Sequence, residues 1–254
     1  YIAAKMSIAK NQGPEQTCVL NYEDEVLREQ AKHLSAKVVF FSSLSKLEEG
    51  FYLEGDKIVY AHDGQIEEII STDELNILGR HNHENAMAAT AMAMSYDVPV
   101  EHIRQALRTF QAVEHRIEYV TEKRGVRFYN DSKGTNPDAA IKGIQAMDRP
   151  TCLIGGGYDK QSEYTEWINS FDGKVKKLVL IGQTREKIAE EAEKCGFYDY
   201  VFADSLQEAV DICYENAENG DAVLLSPACA SWGMFPNYEV RGKMFKEMVH
   251  ALKE

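Results

Sequence analysis

The sequence predicts an α/β protein of two domains, the second of which is a doubly wound, Rossmann-like domain. In the C-terminal half, short apolar runs typical of buried strands alternate with longer runs typical of amphipathic helices. That alternation indicates parallel strands joined by helical crossovers. The chain has 254 residues, of which 44% are hydrophobic, enough to bury one large core or two smaller ones.

The first predicted domain spans residues 1–112. Its predicted helices cover residues 1–6, 23–34, 86–96 and 100–110, and its predicted strands cover residues 17–21, 36–41, 51–53, 57–60 and 66–70. Strand, helix and strand over residues 17–41 favour a parallel βαβ unit. Glu54-Gly55-Asp56 and Asp63-Gly64 then separate short strands, which is typical of hairpins.

The second predicted domain spans residues 113–254, after the helical pattern breaks near Phe110. Its predicted strands cover residues 117–121, 126–129, 152–154, 177–181, 200–202 and 222–225, and its predicted helices cover residues 137–147, 184–195, 206–218 and 240–252. The first two strands flank Lys123-Arg124-Gly125, and the remainder alternates strand and helix. This alternation is the basis for predicting a doubly wound sheet.

Charge and cysteine content exclude some classes of function. The formal net charge of −13 repels nucleic acid and anionic membrane surfaces, so we expect neither as a partner. Five cysteines without a C-x-x-C pair indicate free thiols in a reducing cytoplasm. No apolar run approaches the length of a membrane span, and no signal peptide is visible. The chain starts at Tyr1 within a helical pattern, so we expect it to be a piece of a longer protein.

The run Tyr129–Asp138 joins a predicted strand to a predicted helix, where α/β proteins place ligands. It carries a carboxylate, hydroxyls and an ammonium, and Pro137 suits the first helical turn. Two interpretations stay open: a ligand-binding turn, or an ordinary turn capped by Thr135 or Asn136.

Three further segments carry similar alternatives. Gly155–Lys160 follows a strand, and its glycines could let backbone amides approach a ligand. Ser226–Phe235 follows the last strand and is either a binding turn or a buried crossover cap. His115 and Arg116 lie at the predicted domain junction and form either an anion site or a salt-bridged hinge. The sequence contains no Gly-x-x-Gly-Lys-Ser/Thr phosphate loop and no serine-hydrolase or zinc-protease motif.

Taken together and in chain order, these segments resemble the Mur ligase family of peptidoglycan synthesis. The segments that carry the resemblance are Leu78–Ala86, Glu114–Arg116, Asn130–Asn136, Gly155–Lys160 and Ser226–Ser231. Asn130–Asn136 is the most specific of them and is most similar to the branch of the family that adds D-glutamate. Sibling Mur ligases and folylpolyglutamate synthetases carry a different motif at this place.

The resemblance, and not the composition of the chain, implies an ATP-dependent amide ligase. Such a ligase phosphorylates the carboxylate of UDP-MurNAc-L-alanine with ATP and Mg²⁺, and the amine of D-glutamate then attacks the acyl phosphate. The resemblance further implies small-molecule substrates and a monomeric, cytoplasmic enzyme. Residues 1–112 would be the C-terminal portion of the central ATP-binding domain, and residues 113–254 the acceptor-binding domain.

The resemblance also assigns roles to individual residues. Lys5 matches a lysine that becomes carbamylated and binds Mg²⁺, and His115 and Lys133 match residues near the reacting phosphate. The residues matching those that hold the nucleotide are Asn82, Asn85, Arg116 and Asp131. The residues matching those that bind D-glutamate are Thr135, Lys160, Ser231, Trp232 and Tyr238.

The family's uridine-nucleotide domain and ATP phosphate loop would precede Lys5, and neither is found in this sequence. We therefore expect no ligase turnover from these 254 residues alone. Three alternatives remain: another Mur ligase, a folylpolyglutamate synthetase, or a non-catalytic ligand-binding module of the same fold.

Overall fold

The computed structural model describes residues 1–253. The chain divides into two compact units, Tyr1–Gln111 and Ala112–Glu254, and each unit is built on its own β-sheet. The resulting mixture of helices and parallel-rich sheets confirms the predicted α/β class.

The first unit contains a five-stranded sheet whose strands follow chain order. Its strands are β1 (Thr17–Asn21), β2 (Lys37–Ser42), β3 (Gly50–Glu54), β4 (Lys57–His62) and β5 (Gln65–Ser71). Strands β1, β2 and β3 pair in parallel, whereas β3–β4 and β4–β5 are antiparallel hairpins. The predicted βαβ unit and the two hairpins are therefore both present.

The helices of the first unit are α1 (Ile2–Met6), α2 (Glu25–Ala31), α3 (Arg80–Met94) and α4 (Val100–Thr109). The Asp24 carboxylate caps α2 by accepting from the amides of Val26 and Leu27 at 2.8 and 3.1 Å. Helix α3 begins six residues earlier than predicted, because the polar segment after Gly79 forms its first turns instead of a loop. That segment carries Asn82 and Asn85.

The second unit contains a six-stranded sheet in the order β10-β9-β8-β11-β7-β6. Its strands are β6 (Glu118–Lys123), β7 (Val126–Asn130), β8 (Thr151–Gly157), β9 (Val175–Gly182), β10 (Tyr200–Phe202) and β11 (Ala222–Leu225). All neighbours pair in parallel except β6, which runs antiparallel to β7. This sheet confirms the doubly wound prediction.

The helices of the second unit are α5 (Pro137–Gln145), α6 (Thr165–Asn169), α7 (Arg185–Lys194), α8 (Leu206–Asn216) and α9 (Tyr238–Ala251). Sequence patterns missed α6, which is only five residues long. Strands β8 and β11 are buried at every residue, as expected for central parallel strands covered on both faces.

The strand order brings three loops to one edge of the second sheet. Strand β11 lies between β8 and β7, so the loops that follow these three strands are neighbours at their carboxyl ends. Ligands of doubly wound proteins bind at this edge. Among the helices within residues 1–253, none has the length and apolar character needed to cross a membrane.

Candidate active site at the carboxyl edge of the second sheet

Asn130 is fully buried, and its side chain holds the loop after β7 through hydrogen bonds. Its Oδ1 accepts the amide of Ser132 at 3.1 Å, which orients the side chain. Its Nδ2 lies 2.9 Å from Nδ1 of His115 and 3.0 Å from Oε2 of Glu118. Because the Asn130 amide donates to Nδ1, Nε2 is the ring nitrogen of His115 that can carry a proton.

Asp131 lies beneath the loop, with 4% of its surface exposed. Its Oδ2 accepts from the Ser226 hydroxyl at 2.7 Å, and its Oδ1 accepts from the Ile117 amide at 3.3 Å. Burial raises the pKa of Asp131 to about 7, although these two bonds and the nearby Arg116 and Arg241 charges oppose the rise. The carboxyl group that was expected to face a nucleotide thus accepts one hydrogen bond from the protein on each oxygen.

Lys133, His115 and Tyr238 meet in a surface groove of about 400 Å³, which Lys243 also lines. The Lys133 ammonium lies 3.4 Å from the Tyr238 hydroxyl and 5.2 Å from the centre of its ring. The His115 ring meets the Tyr238 ring edge to face, with centroids 6.0 Å apart. The structure therefore brings together both residues of this unit that were expected near the reacting phosphate, beside one expected to bind the acceptor.

The glycines at the end of β8, Gly155 to Gly157, serve packing and do not form an open loop. All three lie within the strand itself. The amide of Gly156 donates to the Pro227 carbonyl at 2.8 Å, and that of Gly157 to the Thr184 hydroxyl at 3.0 Å. A Cβ at Gly156 would lie 2.2 Å from the Ile181 carbonyl oxygen. Glycine is required here for close approach of strands, and these amides are not free to cradle a ligand.

Lys160, Trp232 and Ser231 lie on the loops that follow β8 and β11. Lys160 is exposed, and its ammonium lies 5.1 Å from the centre of the Trp232 ring, which also contacts Tyr158. Trp232 is 53% exposed, whereas Ser231 is buried. An antiparallel bridge between Tyr158 and Ala230 joins the two loops. These three predicted residues thus occupy adjacent loops at the same edge as Lys133.

The remaining predicted residues of this unit are Thr135 and Arg116. Thr135 is half-buried, and its amide donates to the Lys133 carbonyl at 2.8 Å. The cap of α5 is Asn136, whose Oδ1 accepts the Ala139 amide at 2.9 Å. Arg116 is exposed beside the buried His115. The run Tyr129–Asp138 is therefore a capped turn, and it also carries the groove lysine.

In the first unit, Asn82 and Asn85 lie on the first turns of α3. The Asn82 amide donates to the Leu78 carbonyl at 2.7 Å, and the Asn85 amide donates to Asn82 at 3.3 Å. Asn85 also borders a largely apolar cavity of about 400 Å³ between α3 and α4, which Thr90, His102 and Phe110 line in part.

Lys5 is exposed on α1, and its ammonium lies 5.4 Å from the centre of the Tyr1 ring. Within residues 1–253, no group of three or more His, Cys, Asp or Glu residues is arranged to hold a metal ion.

Two residues that organise the site were missed by sequence analysis. Arg241 is 1% exposed and donates to the loops after β7 and β11, and Ser226 holds Asp131. Ser226 opens the Ser226–Ser231 segment but was given no role there, whereas Arg241 lies outside every segment that was singled out. An arginine within the apolar pattern of α9 was the only signal that could have drawn attention to it.

Comparison with known proteins gives consistent results over both units. The model of the Mur ligase middle domain matches residues 1–93, and that of the Mur ligase glutamate ligase domain matches residues 115–229. A UDP-N-acetylmuramoylalanine–D-glutamate ligase from Lachnoclostridium phytofermentans is 56% identical over the whole chain. One from Alkaliphilus oremlandii is 53% identical over 253 residues. The chain spans about 56% of the length of each relative.

Solved structures show the same fold at low identity. A UDP-N-acetylmuramate-alanine ligase from Thermotoga maritima aligns with a TM-score of 0.68 at 16% identity, covering 100% of this chain and 55% of that one. A MurF from Acinetobacter baumannii aligns with a TM-score of 0.66 at 18% identity, covering 97% and 55%.

Proposed function

Because the chain belongs to the Mur ligase family, we propose that it is part of an ATP-dependent ligase that joins D-glutamate to UDP-MurNAc-L-alanine in peptidoglycan synthesis. The observation that carries this proposal is the identity of 45 to 56% to ligases of that name, which extends over essentially the whole chain. Since the chain spans about 56% of their length, the activity belongs to the full-length ligase.

Residues 1–112 would be the C-terminal portion of the ATP-binding domain, and residues 113–254 the D-glutamate domain. The matched family regions, residues 1–93 and 115–229, support this division. The segment Asn130–Asn136 favours D-glutamate over the acceptors of other Mur ligases and of folylpolyglutamate synthetases.

The groove of Lys133, His115 and Tyr238 supports a role at the reacting phosphate. An acyl phosphate and the oxyanion that forms upon amine attack both carry negative charge, in a protein whose own charge is −13. The Lys133 ammonium, whose hydrogen-bond partner in the groove is the Tyr238 hydroxyl, can supply the compensating charge. His115, protonated on Nε2, can donate a further hydrogen bond to a phosphate oxygen.

D-Glutamate would bind beside this groove. It carries two carboxylates, so its site requires cations and hydroxyl donors. Lys160 supplies a cation held over Trp232, and Ser231, Thr135 and Tyr238 supply hydroxyl groups on the adjoining loops. This arrangement supports their assignment to the acceptor, because the loops follow neighbouring strands.

Nucleotide contacts would come from Asn82, Asn85, Arg116 and Asp131. The cavity beside Asn85, apolar apart from a few polar groups, suits the flat face of an adenine, while the exposed Arg116 suits an anionic group. Asp131 is 4% exposed and already accepts from Ser226 and Ile117, so little of its carboxyl group is open to a ribose hydroxyl. We therefore assign Asp131 first to the support of the loop and second to the nucleotide.

Lys5 would serve as a carbamate ligand of Mg²⁺, for which the full-length ligase must supply further ligands, since the described residues provide no such cluster. We further propose a cytoplasmic monomer, consistent with five free cysteines, four of them buried.

The test is turnover by the full-length ligase. Phosphate release from ATP should require UDP-MurNAc-L-alanine, and product should form with D-glutamate but not with L-alanine or meso-diaminopimelate. Lys133→Ala should lower kcat by orders of magnitude with the fold intact. Equal turnover with L-alanine would refute the assignment. The 254-residue chain alone should give no product.

A non-catalytic binding module is the second candidate, and it is separated by the same assay. Such a module would bind D-glutamate in calorimetry, yet the full-length protein would release no phosphate under any combination of substrates.

A further inference from the structure

Arg241 is a buried cation in the second unit that none of the roles above uses. It lies on α9 with 1% of its surface exposed, and within residues 1–253 it forms no ion pair with a carboxylate. Burial lowers its pKa to about 10, although the nearby Cys229 and Asp131 oppose the fall. A desolvated guanidinium is costly to the fold unless several acceptors satisfy it.

Its acceptors belong to two different loops. Nε donates to the Ser132 hydroxyl at 3.0 Å, and Nη2 donates to the Ser132 carbonyl at 2.7 Å. Nη1 donates to the Cys229 carbonyl at 3.2 Å. The planar guanidinium thus spans the loop after β7 and the loop after β11, with donors in a fixed geometry that a lysine cannot reproduce.

Each of these contacts lies next to residues of the proposed active site. Ser132 precedes Lys133, and Cys229 lies two residues before Ser231. The Ser132 hydroxyl in turn donates to the Tyr238 carbonyl at 2.8 Å, at the start of the helix that carries Arg241. One side chain therefore connects the phosphate-side loop, the acceptor-side loop and the first turn of α9.

We propose that Arg241 is a positioning residue that holds the Lys133 loop and the Ser231–Trp232 loop in a fixed relation, so that the acceptor amine meets the activated carboxylate. This proposal rests on the proposed ligase function. The geometric part of it, the coupling of the two loops, applies to the chain whatever it catalyses.

The first arm of the test measures that coupling in the full-length protein by hydrogen exchange. In Arg241→Lys the charge remains, but three acceptors on two loops can no longer be bridged. The Lys133 amide, which donates to the His115 carbonyl, and the Phe235 amide, which donates to the Ser231 carbonyl, should exchange at least tenfold faster. Amides of Leu153 and Val179 in the central strands should stay within twofold of wild type.

The second arm measures kinetics in the full-length ligase. Arg241→Lys should raise KM for D-glutamate at least tenfold and lower kcat, while KM for ATP stays within twofold. Arg127→Lys is the matched control, because Arg127 makes an exposed ion pair with Glu122 on the same sheet and should change neither measurement. Ser132→Ala keeps Arg241 but removes one of its acceptors together with the bond from Ser132 to the Tyr238 carbonyl, and it should shift both measurements in the same direction by a smaller factor.

The outcomes separate the two proposals. Wild-type exchange at Lys133 and Phe235 together with an unchanged KM for D-glutamate would overturn the role of Arg241. If Arg241→Lys unfolds, as judged by fluorescence of the buried Trp167, then Ser132→Ala decides. A wild-type ligase that ignores D-glutamate would refute the proposed function, and the exchange arm would still decide whether Arg241 couples the loops.

Discussion

The carboxyl group of Asp131 lies 2.7 Å from the hydroxyl of Ser226, and this pair forms the floor of the loop that presents Lys133. Two glycines close over it. A Cβ at Gly134 would lie 2.6 Å from Oδ2 of Asp131, and one at Gly143 would lie 2.8 Å from the same atom. The loop therefore packs against a buried polar pair, and this packing is as tight as that of an apolar core.

The buried Asp131 carboxyl predicts a specific pH dependence of stability. Its pKa is raised from 3.8 to about 7 in the folded chain, so between those values the folded state binds the proton more tightly than the unfolded state. Stability attributable to this group should therefore fall as pH rises from about 4 through 7, and stay constant above. In Asp131→Asn, residue 131 cannot titrate. The free energy of unfolding of this variant, relative to that of wild type, should therefore rise by roughly 3 kcal/mol between pH 5 and pH 8.

Urea unfolding followed by tryptophan fluorescence measures this effect in the right unit. Both tryptophans, Trp167 and Trp232, lie in residues 112–254. Only the change in unfolding free energy with pH is compared between the two proteins. The loss of the bond to Ser226 contributes equally at every pH and therefore cancels. Parallel stability profiles for the two proteins would show that Asp131 is ionised in the fold at neutral pH.

Gly143→Ala should destabilise the second unit, although alanine ordinarily favours a helix over glycine by about 1 kcal/mol. The new Cβ would lie 2.8 Å from both Oδ2 of Asp131 and Oγ of Ser226, and neither can retreat from a buried position. We expect a loss of roughly 1–3 kcal/mol, as for other overpacked sites. Gln145→Ala on the exposed face of the same helix is the control, and a stabilised Gly143→Ala would contradict the packing described.

Gly242→Ala tests the packing around the His115 ring in the same way. A Cβ there would lie 2.3 Å from Nδ1 of His115 and 3.0 Å from Oδ1 of Asn130, so the ring must move and lose its bond to Asn130. The substitution should lower both stability and kcat. His115→Ala makes room for the new methyl group, so the stability losses of the double variant should be less than additive by about 1 kcal/mol or more. Strict additivity would mean that the ring does not occupy this position.

Features of the fold that depend on local sequence patterns could be predicted from the sequence, whereas features that depend on tertiary contacts could not. Alternation of apolar and amphipathic runs predicted both sheets, because those patterns are local. The polar turns of α3 were missed, since Asn82 and Asn85 resemble a loop until tertiary contacts fix them. Likewise, the triple glycine resembled a ligand loop, although the structure places it within β8, in contact with Ile181 and Pro227.

The candidate site shows the same division. Position in the chain drew attention to Lys133 and His115, motif resemblance added Tyr238, and the structure places these three around one groove. Motif resemblance did not identify Arg241. Its partners Ser132 and Cys229 lie 109 and 12 residues away along the chain, and no local pattern reports contacts of that kind.

Tyr238→Phe isolates the contribution of one hydroxyl to the groove. The Tyr238 oxygen accepts a hydrogen bond from Lys133 at 3.4 Å, while the ring contributes a separate cation–π contact. Phenylalanine keeps the ring and its edge contact with His115, so the fold should be unchanged and Lys133 should be less well oriented. We expect kcat of the full-length ligase to fall about 3- to 10-fold, corresponding to roughly 1 kcal/mol, because a bond of 3.4 Å is weaker than a short hydrogen bond to a charged group. Tyr200→Phe, which removes a hydroxyl bonded to the exposed Glu193, is the matched control and should have no effect. A Tyr238→Phe variant with wild-type kcat would show that the aromatic ring alone orients Lys133.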